Sequence, residues 1–429
     1  MKNNQIFINE IRINKLRNID SFIIPLGNKE RKHLIITGKN GAGKTTLLLE
    51  IKSFFEKTFN GQYSIYYKQI DNYNLLISKR KLFKEINNLK EPKRYSHAEF
   101  NDIEKNIVNI EQSIDDMGKW IRKFSDVILH FSDMSKIMDS IDSGKFLVSY
   151  FDAKRMTNIR NPNGISKLTL KKKYNPEDHA NIDFIQYIVN LKAQRSFARD
   201  DGEEDEVERI GQWFIKFENR LREIFEDPTL QLKFDRRNFN FKLKTNGREE
   251  FTLTELSDGY SAILSIVTEL ILRMELIDSG NYNLQGVVLI DEIETHLHVD
   301  LQKKILPFLS DFFPNIQFII TTHSPFVLQS ISNSVVCDLQ ELMVVENLSG
   351  YSYDTLVESY FGADKYSEIV KEKIERFEKL SEINLVAEED KEEYFFLTRY
   401  FENIPKHFAP ELDVRLQQIK LNQLANKKV

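Results

Sequence analysis

The chain has 429 residues, 41% of them hydrophobic, with a formal net charge of −5 and one cysteine, Cys337. That length supports one to three domains with a sizeable core. The acidic balance excludes a global basic field for nucleic acid, and the lone cysteine excludes an internal disulfide framework and suits a reducing compartment. No apolar run approaches the ~20 residues that span a bilayer, so no membrane role is expected. The N-terminal stretch Met1–Leu16 alternates polar and apolar residues, unlike a signal peptide, and a cytoplasmic location is expected.

Residues 6–26 alternate apolar and polar side chains and predict the first strands. His33–Thr37, an apolar β-branched run, leads into Gly38–Thr46, GKNGAGKTT, and Thr45–Phe55 then reads as a helix. Gly38, Gly43, Lys44 and Thr45 have the spacing of a phosphate-binding loop. Such a loop needs backbone N–H groups curled around a phosphate, and small residues make the room. The nucleotide-binding residues are therefore placed at Asn40, Gly41, Ala42, Gly43, Lys44, Thr45 and Thr46. Lys44 would reach the β- and γ-phosphates, and the Thr45 hydroxyl would ligate Mg2+.

From Phe100 a seam of Ile103, Ile107, Ile110, Ile114, Met117, Ile121, Phe124, Ile128 and Phe131 alternates steps of three and four. That is a heptad pattern, and it predicts one long helix over about 98–141, with Gly118 a candidate bend or hairpin tip. A shorter helix over 72–89 should pack antiparallel to it. The seam outlasts this neighbour, so the stretch around Ile121 to Ile141 needs a further surface: the protein body, a second chain or another protein. The expectation is an arm that serves association.

Strand character returns over 145–155, and residues 181–198 and 207–225 read as helices around an acidic, mobile loop, RDDGEEDE. Residues 230–253 read as a hairpin turning at Asn246-Gly247. A short polar turn, Ser257-Asp258-Gly259, opens a strongly apolar helix, where a second anion site could form. Val287–Ile290 has the apolar run of a buried parallel strand and ends in Asp291-Glu292. Acids at that edge suit metal holding by Asp291 and orientation of an attacking water by Glu292. Phe318–Thr321 repeats the design and ends in Thr322-His323-Ser324, where His323 can donate to a γ-phosphate.

The order of these motifs resembles the ABC-type ATPases, in the branch containing SMC, RecF and OLD-like proteins. The resemblance covers roughly 1–60 and 145–345. It implies an α/β fold of the P-loop NTPase type with a mixed central sheet, and ATP and Mg2+ as ligands. In that family LSGGQ precedes the Walker B strand, and Leu256–Tyr260, LSDGY, stands in its place. Asp258 and Tyr260 depart from the family pattern. The resemblance implies that Ser257 and Gly259 touch a γ-phosphate held by a partner subunit, hence a homodimer or higher even oligomer. Glu294–His298 looks like the D-loop and His323 like the switch histidine. The Q-loop position falls at Gln194 or in Phe151–Arg155. The helical remainder looks like the tail of antiphage-defence ATPases of the Septu, retron and PARIS kinds. These imply an effector partner, nuclease-like and encoded nearby, with nucleic acid a possible ligand.

The domain scheme expected is an ATPase lobe over 1–60, a helical insertion over 61–144, a second lobe over 145–345, and a helical C-terminal region over 346–429. Competing functions are a DNA-transaction ATPase of the RecF/SMC type, an ABC transporter subunit, an OLD-like nuclease, and a scaffold that hydrolyses slowly. Transporter subunits run shorter, without so early a heptad insertion. An OLD-like nuclease needs a metal-dependent domain downstream, whereas only about 85 residues follow the core.

Overall fold

The computed structural model describes residues 5–88, 97–155, 159–162, 164–351, 356, 368–382, 388–402 and 417–418. It divides into two units, Met1–Gly350 and Tyr351–Val429, each considered by itself.

At the centre of the first unit is a six-stranded sheet in the order β12-β11-β3-β10-β9-β5. The strands are β3 (His33–Thr37), β5 (Phe146–Phe151), β9 (Gln285–Ile290), β10 (Ile316–Thr321), β11 (Ser334–Asp338) and β12 (Met343–Glu346). All pairings are parallel except β11 with β12. β3, β10 and β11 are buried throughout, which is why they read as continuous apolar runs rather than alternations. Cys337 lies in β11, and burial pushes its thiol up to about 12. A second sheet, antiparallel, joins β1 (Ile8–Leu16) to β2 (Ile19–Pro25) and to β4 (Val127–Phe131). The fold is thus α/β with a mixed central sheet, as the motif order implied.

Helix α1 (Lys44–Phe59) follows β3, and α2 (Gln62–Asn88) and α3 (His97–Phe124) form an arm. Tyr66 stacks on Phe124 at 4.2 Å, and Lys84 pairs with Glu111 at 2.6 Å. Rising numbers on one helix meet falling numbers on the other, so the pair is antiparallel. Ile107, Ile110, Ile114, Met117 and Ile121 are half-buried along one face of α3. The helix runs through Gly118 without a break.

The single long helix over 98–141 is not formed. α3 stops at Phe124, and Ile128 and Phe131 belong to β4, which pairs with β1. A short helix, α4 (Met134–Asp142), follows, capped by the Asp133 side chain. β-branched Val127 and Ile128 favour a strand, and β1 offers the hydrogen bonds. Phe124, Ile128, Phe131, Ile137 and Ile141 all join the core around α1, with Ile121 packed against it. The part of the seam that needed a second surface finds it in the protein's own body.

Helices α5 (Phe184–Asp201) and α6 (Glu204–Phe225) are separated only by Gly202 and Glu203 and pack antiparallel, with Phe184 against Phe217 and Tyr187 against Trp213. The stretch RDDGEEDE is therefore not a mobile acidic loop: Gly202 closes α5 in the left-handed conformation, and Glu204, Asp205 and Glu206 fill the first turn of α6. Acids there are stabilised by the helix dipole. Residues 230–253 form a three-stranded meander, β6 (Gln231–Asp235), β7 (Asn240–Lys244) and β8 (Phe251–Thr252), with Gly247 between β7 and β8. α7 (Asp258–Glu275) is anchored by a buried ion pair, Arg273 with Glu269 at 2.6 Å; Arg273 also donates to Val148 O of β5 at 2.8 Å. α8 (Val299–Phe312) and the short α9 (Pro325–Leu328) complete the layer.

In the second unit, helices Glu368–Glu382 and Glu388–Glu402 pack through Ile374, Phe377, Leu380, Leu397 and Phe401. Arg376 bridges to Asp390 and Glu393, at 3.2 and 2.6 Å. Of the expected helical C-terminal region, residues 352–355, 357–367, 383–387, 403–416 and 419–429 lie outside the described residues. Among those described, no helix is long and apolar enough to cross a membrane.

Candidate functional site

β3, β9 and β10 end side by side, and the candidate residues follow directly from those ends. Behind β3 the chain turns through Gly38 and Gly43, at φ 130° and 103°, values that favour glycine. A Cβ on Gly38 would also meet Ala42 Cβ at 3.2 Å and Asp338 Oδ1 at 3.3 Å. Gly43 is the N-cap of α1 and offers no side-chain cap, so the first-turn N–H groups of α1 face the loop without an intrahelical partner. That is an anion site by construction. Lys44 Nζ donates to Gly38 O at 2.8 Å and Lys39 O at 3.2 Å. Burial lowers the Lys44 pKa, while Glu292, Asp291, Glu294 and Asp338 pull it back up.

Thr45 Oγ1 donates to the Asp291 carboxylate, and Thr321 Oγ1 donates to Asp291 Oδ1 at 2.6 Å. Three strand ends thus meet at one carboxylate. Thr45 and Asp291 are hard oxygen donors of the kind magnesium takes. No cluster of three or more His, Cys, Asp or Glu suited to a metal occurs among the described residues. At this site one hydroxyl and one carboxylate could hold such a cation, with phosphate oxygens and water completing the shell.

Glu292 sits at φ 44°. Its N–H donates to Thr321 Oγ1 at 2.7 Å, and Thr295 Oγ1 lies 3.4 Å from its carboxylate. Glu294 Oε1 accepts the His323 backbone N–H at 2.5 Å, which ties the two strand-end loops together. The His323 ring has no hydrogen-bond partner among the described residues.

Lys44, Thr45, Asp291, Glu292 and His323 are thus gathered at one sheet edge. Asn40, Gly41, Ala42 and Thr46 lie in the same loop and first turn. Ser257 and Gly259 belong elsewhere. Ser257 is the exposed N-cap of α7, without a side-chain cap bond. A Cβ on Gly259 would meet His296 O at 2.9 Å, so this glycine allows α7 to approach the Glu294–His298 segment. Tyr260 stacks on Phe225 at 4.3 Å. Gln194 is exposed on α5. The other Q-loop candidate, Phe151–Arg155, borders the site: Arg155 donates to the carbonyls of Asp291, Glu292 and Ile293.

Thr321 has no assignment from the sequence, and Arg155 and Glu294 fall inside the Phe151–Arg155 and Glu294–His298 segments without a role of their own. Thr321 could have been found as the hydroxyl that ends a buried strand beside Asp291. Arg155 bonds only backbone atoms and leaves no motif.

The chain is 30% identical over 182 residues to a retron Ec83 probable ATPase of Escherichia coli, covering 40% of this chain and 32% of that protein. It is 40% identical over 89 residues to a Septu protein PtuA of Bacillus mycoides, covering 21% of this chain and 12% of that protein. It therefore spans less than half the length of these relatives. Among solved structures, the SMC head bound to the C-winged helix domain of ScpA covers 80% of this chain and 100% of that one, at 12% identity and a TM-score of 0.39. A family model described as AAA domain, putative AbiEii toxin, Type IV TA system matches residues 34–329. That match takes in the loop, both strand-end acids and His323, and the chain belongs to this AAA family.

Proposed function

We propose that this chain binds ATP with magnesium and hydrolyses it, and that the cycle acts as a switch for a separate effector in antiphage defence. The observation that carries the reading is the meeting of Thr45, Asp291 and Thr321 in one hydrogen-bonded set, with Lys44 and Glu292 each adjacent in the chain. Lys44 would exchange its contacts to the loop carbonyls for phosphate oxygens. Thr45 and Asp291 would hold magnesium, which when bound neutralises phosphate charge. Glu292 would orient a water and take its proton, and His323 would donate to the terminal phosphate.

The defence setting is supported by relatives named as a retron ATPase and a Septu protein. The effector would be a nuclease-like protein encoded nearby. Two chains would face each other, so that Ser257 and Gly259 of one meet the phosphate held by the other. The four-part division into two ATPase lobes, an insertion and a helical C-terminal region belongs to the same proposal.

The test is phosphate release by the full chain with ATP, with magnesium and with EDTA. Magnesium-dependent release is expected. A folded chain that neither binds ATP nor releases phosphate overturns the reading.

A further inference from the structure

We propose that Arg155 is a positioning residue for hydrolysis: its guanidinium takes the place of a neighbouring strand and fixes the Asp291–Ile293 backbone, and with it Glu292. The inference rests on the reading of Glu292 as the group that orients water.

β5 pairs with β9 up to Phe151 opposite Ile290, and the ladder's last bond runs from Asp291 N to Phe151 O at 2.9 Å. Beyond that point β5 turns away, with Arg155 N bonded back to Asp152 O. The next three carbonyls of the β9 chain then have no strand beside them. Arg155 fills the gap. Nη1 donates to Asp291 O at 2.8 Å, and Nη2 to Glu292 O at 3.1 Å and Ile293 O at 2.6 Å. On the other side, Thr321 holds the same backbone through Glu292 N at 2.7 Å and Ile293 N at 3.1 Å. The segment is clamped between a threonine and an arginine.

The clamp has something to hold. Glu292 adopts φ 44°, in the left-handed region that non-glycine side chains seldom occupy. Such a conformation persists where the surroundings over-determine it. Three carbonyls in a fan also explain why an arginine stands here: a planar guanidinium presents several N–H groups at fixed angles, and a lysine ammonium does not. Arg155 is only 7% exposed. Burial brings its pKa down to about 10, while the carboxylates of Glu294, Asp152, Asp291 and Glu292 draw it up, so it remains a cation at neutral pH.

A group that merely satisfied buried carbonyls would stabilise the fold without affecting turnover separately. The experiment separates the two roles in the full chain, using Arg155→Lys, Glu292→Gln and the double variant. Hydrogen exchange without nucleotide is read at the amides of Glu292 and Ile293, against Val288 and Ile319 as internal references. ATP affinity and turnover are read in parallel.

Arg155→Lys should speed exchange at Glu292 and Ile293 about tenfold with the references unchanged. Turnover should fall about tenfold or more, since a misplacement of about 1 Å costs up to ~10²-fold, and ATP affinity should stay within about twofold. The double variant should turn over no more slowly than Glu292→Gln, because both changes act on one step. Unchanged exchange and turnover in Arg155→Lys overturn the proposal. So does a multiplicative loss in the double variant. Should Arg155→Lys unfold, Arg155→Gln keeps two amide donors, and loss of the whole fold in both assigns Arg155 to stability alone. Normal turnover in Glu292→Gln overturns the reading of Glu292; slow Glu292→Gln beside normal Arg155→Lys overturns only the role of Arg155.

Discussion

Thr45 Oγ1 lies 3.1 Å from Oδ1 and 2.9 Å from Oδ2 of Asp291, a residue 246 positions further along the chain. The contact joins the first turn of α1 to the end of β9. It is possible only because β10 pairs with both β3 and β9, so that the loop after β3 and the acids after β9 open at the same edge. In open parallel sheets that edge is where ligands bind. The hydroxyl and carboxylate are already gathered, and a bound cation would need little rearrangement of the backbone.

Glu292 and Lys44 should fail in different ways when changed. Glu292→Gln should retain ATP binding and lose turnover by about 10²-fold or more, within the range for loss of a general base. Lys44→Ala should weaken binding itself, because its ammonium faces the loop carbonyls where phosphate oxygens would lie. Equilibrium nucleotide titration beside a phosphate-release assay separates them. Wild-type turnover in Glu292→Gln removes that residue from its role, and equal affinity in Lys44→Ala counts against the loop.

What could be read from the sequence follows from what each feature constrains. Phosphate binding dictates residue types at fixed spacing, so the Gly38–Thr46 loop stands out. A buried strand ending in acids marks Asp291 and Glu292 in the same way. Arg155 bonds backbone carbonyls, which carry no residue code, and so its contacts had no signature. The heptad seam misled beyond Phe124 for a different reason. β4 is buried at Val127, Ile128, Leu129 and Phe131, and a strand apolar on both faces supplies a match to almost any period. The acidic stretch after Arg199 misled through composition: Asp200 and Asp201 end α5, and Glu204, Asp205 and Glu206 start α6.

The His33 side chain gives the fold a defined acid sensitivity. It is fully buried at the start of β3; Nδ1 accepts the Phe318 N–H at 3.0 Å, so Nε2 carries the proton toward Ser310 Oγ at 3.1 Å. Burial, reinforced by Arg31, pushes its pKa down to about 3. Between that value and the ordinary histidine pKa of about 6.5, the unfolded chain binds a proton that the folded chain refuses. Stability from this group is therefore complete above about pH 6.5 and falls as the pH drops toward 3, by at most about 1.4 kcal/mol per pH unit. His33→Gln, which can still accept from Phe318 and donate to Ser310, should flatten that part of the pH profile in urea unfolding. An unchanged slope would mean that His33 titrates alike in both states.

The composite-site reading predicts rescue on mixing. Ser257 is exposed at the start of α7, so Ser257→Arg should fold normally while blocking the surface offered to a second chain. Gly259 is a poorer probe, since a side chain there would press on His296 O at 2.9 Å within its own chain. Chains carrying Lys44→Ala and chains carrying Ser257→Arg, each nearly inactive alone, should regain part of the wild-type turnover when mixed, because one of the two shared sites is intact. No rescue at any ratio, with both chains folded and associated, argues for a site completed within one chain.

The arm can be cut in two places, and the structure says which cut the fold survives. Removing residues 72–141 takes away β4 and α4, strips β1 of a partner and opens the core at Phe131, Ile137 and Ile141. That variant should not fold. Replacing residues 72–118 with a short Gly/Ser linker leaves the base of the arm in place. There Tyr66 stacks on Phe124 at 4.2 Å, and Tyr63 meets Phe54 of α1 edge-on at 5.3 Å. Each such pair contributes roughly 0.5–1.5 kcal/mol beyond its burial. Packed helices lie about 8–10 Å apart, a gap that a few residues can span. The shorter cut should therefore keep the melting temperature within a few degrees and ATP affinity within about twofold, by thermal unfolding and nucleotide titration. Because the body already covers the seam beyond Ile121, and the half-buried face of α3 lies against α2, the outer arm is assigned no part in holding the body together. If the shorter cut unfolds the protein, the outer arm carries part of the fold and that assignment fails.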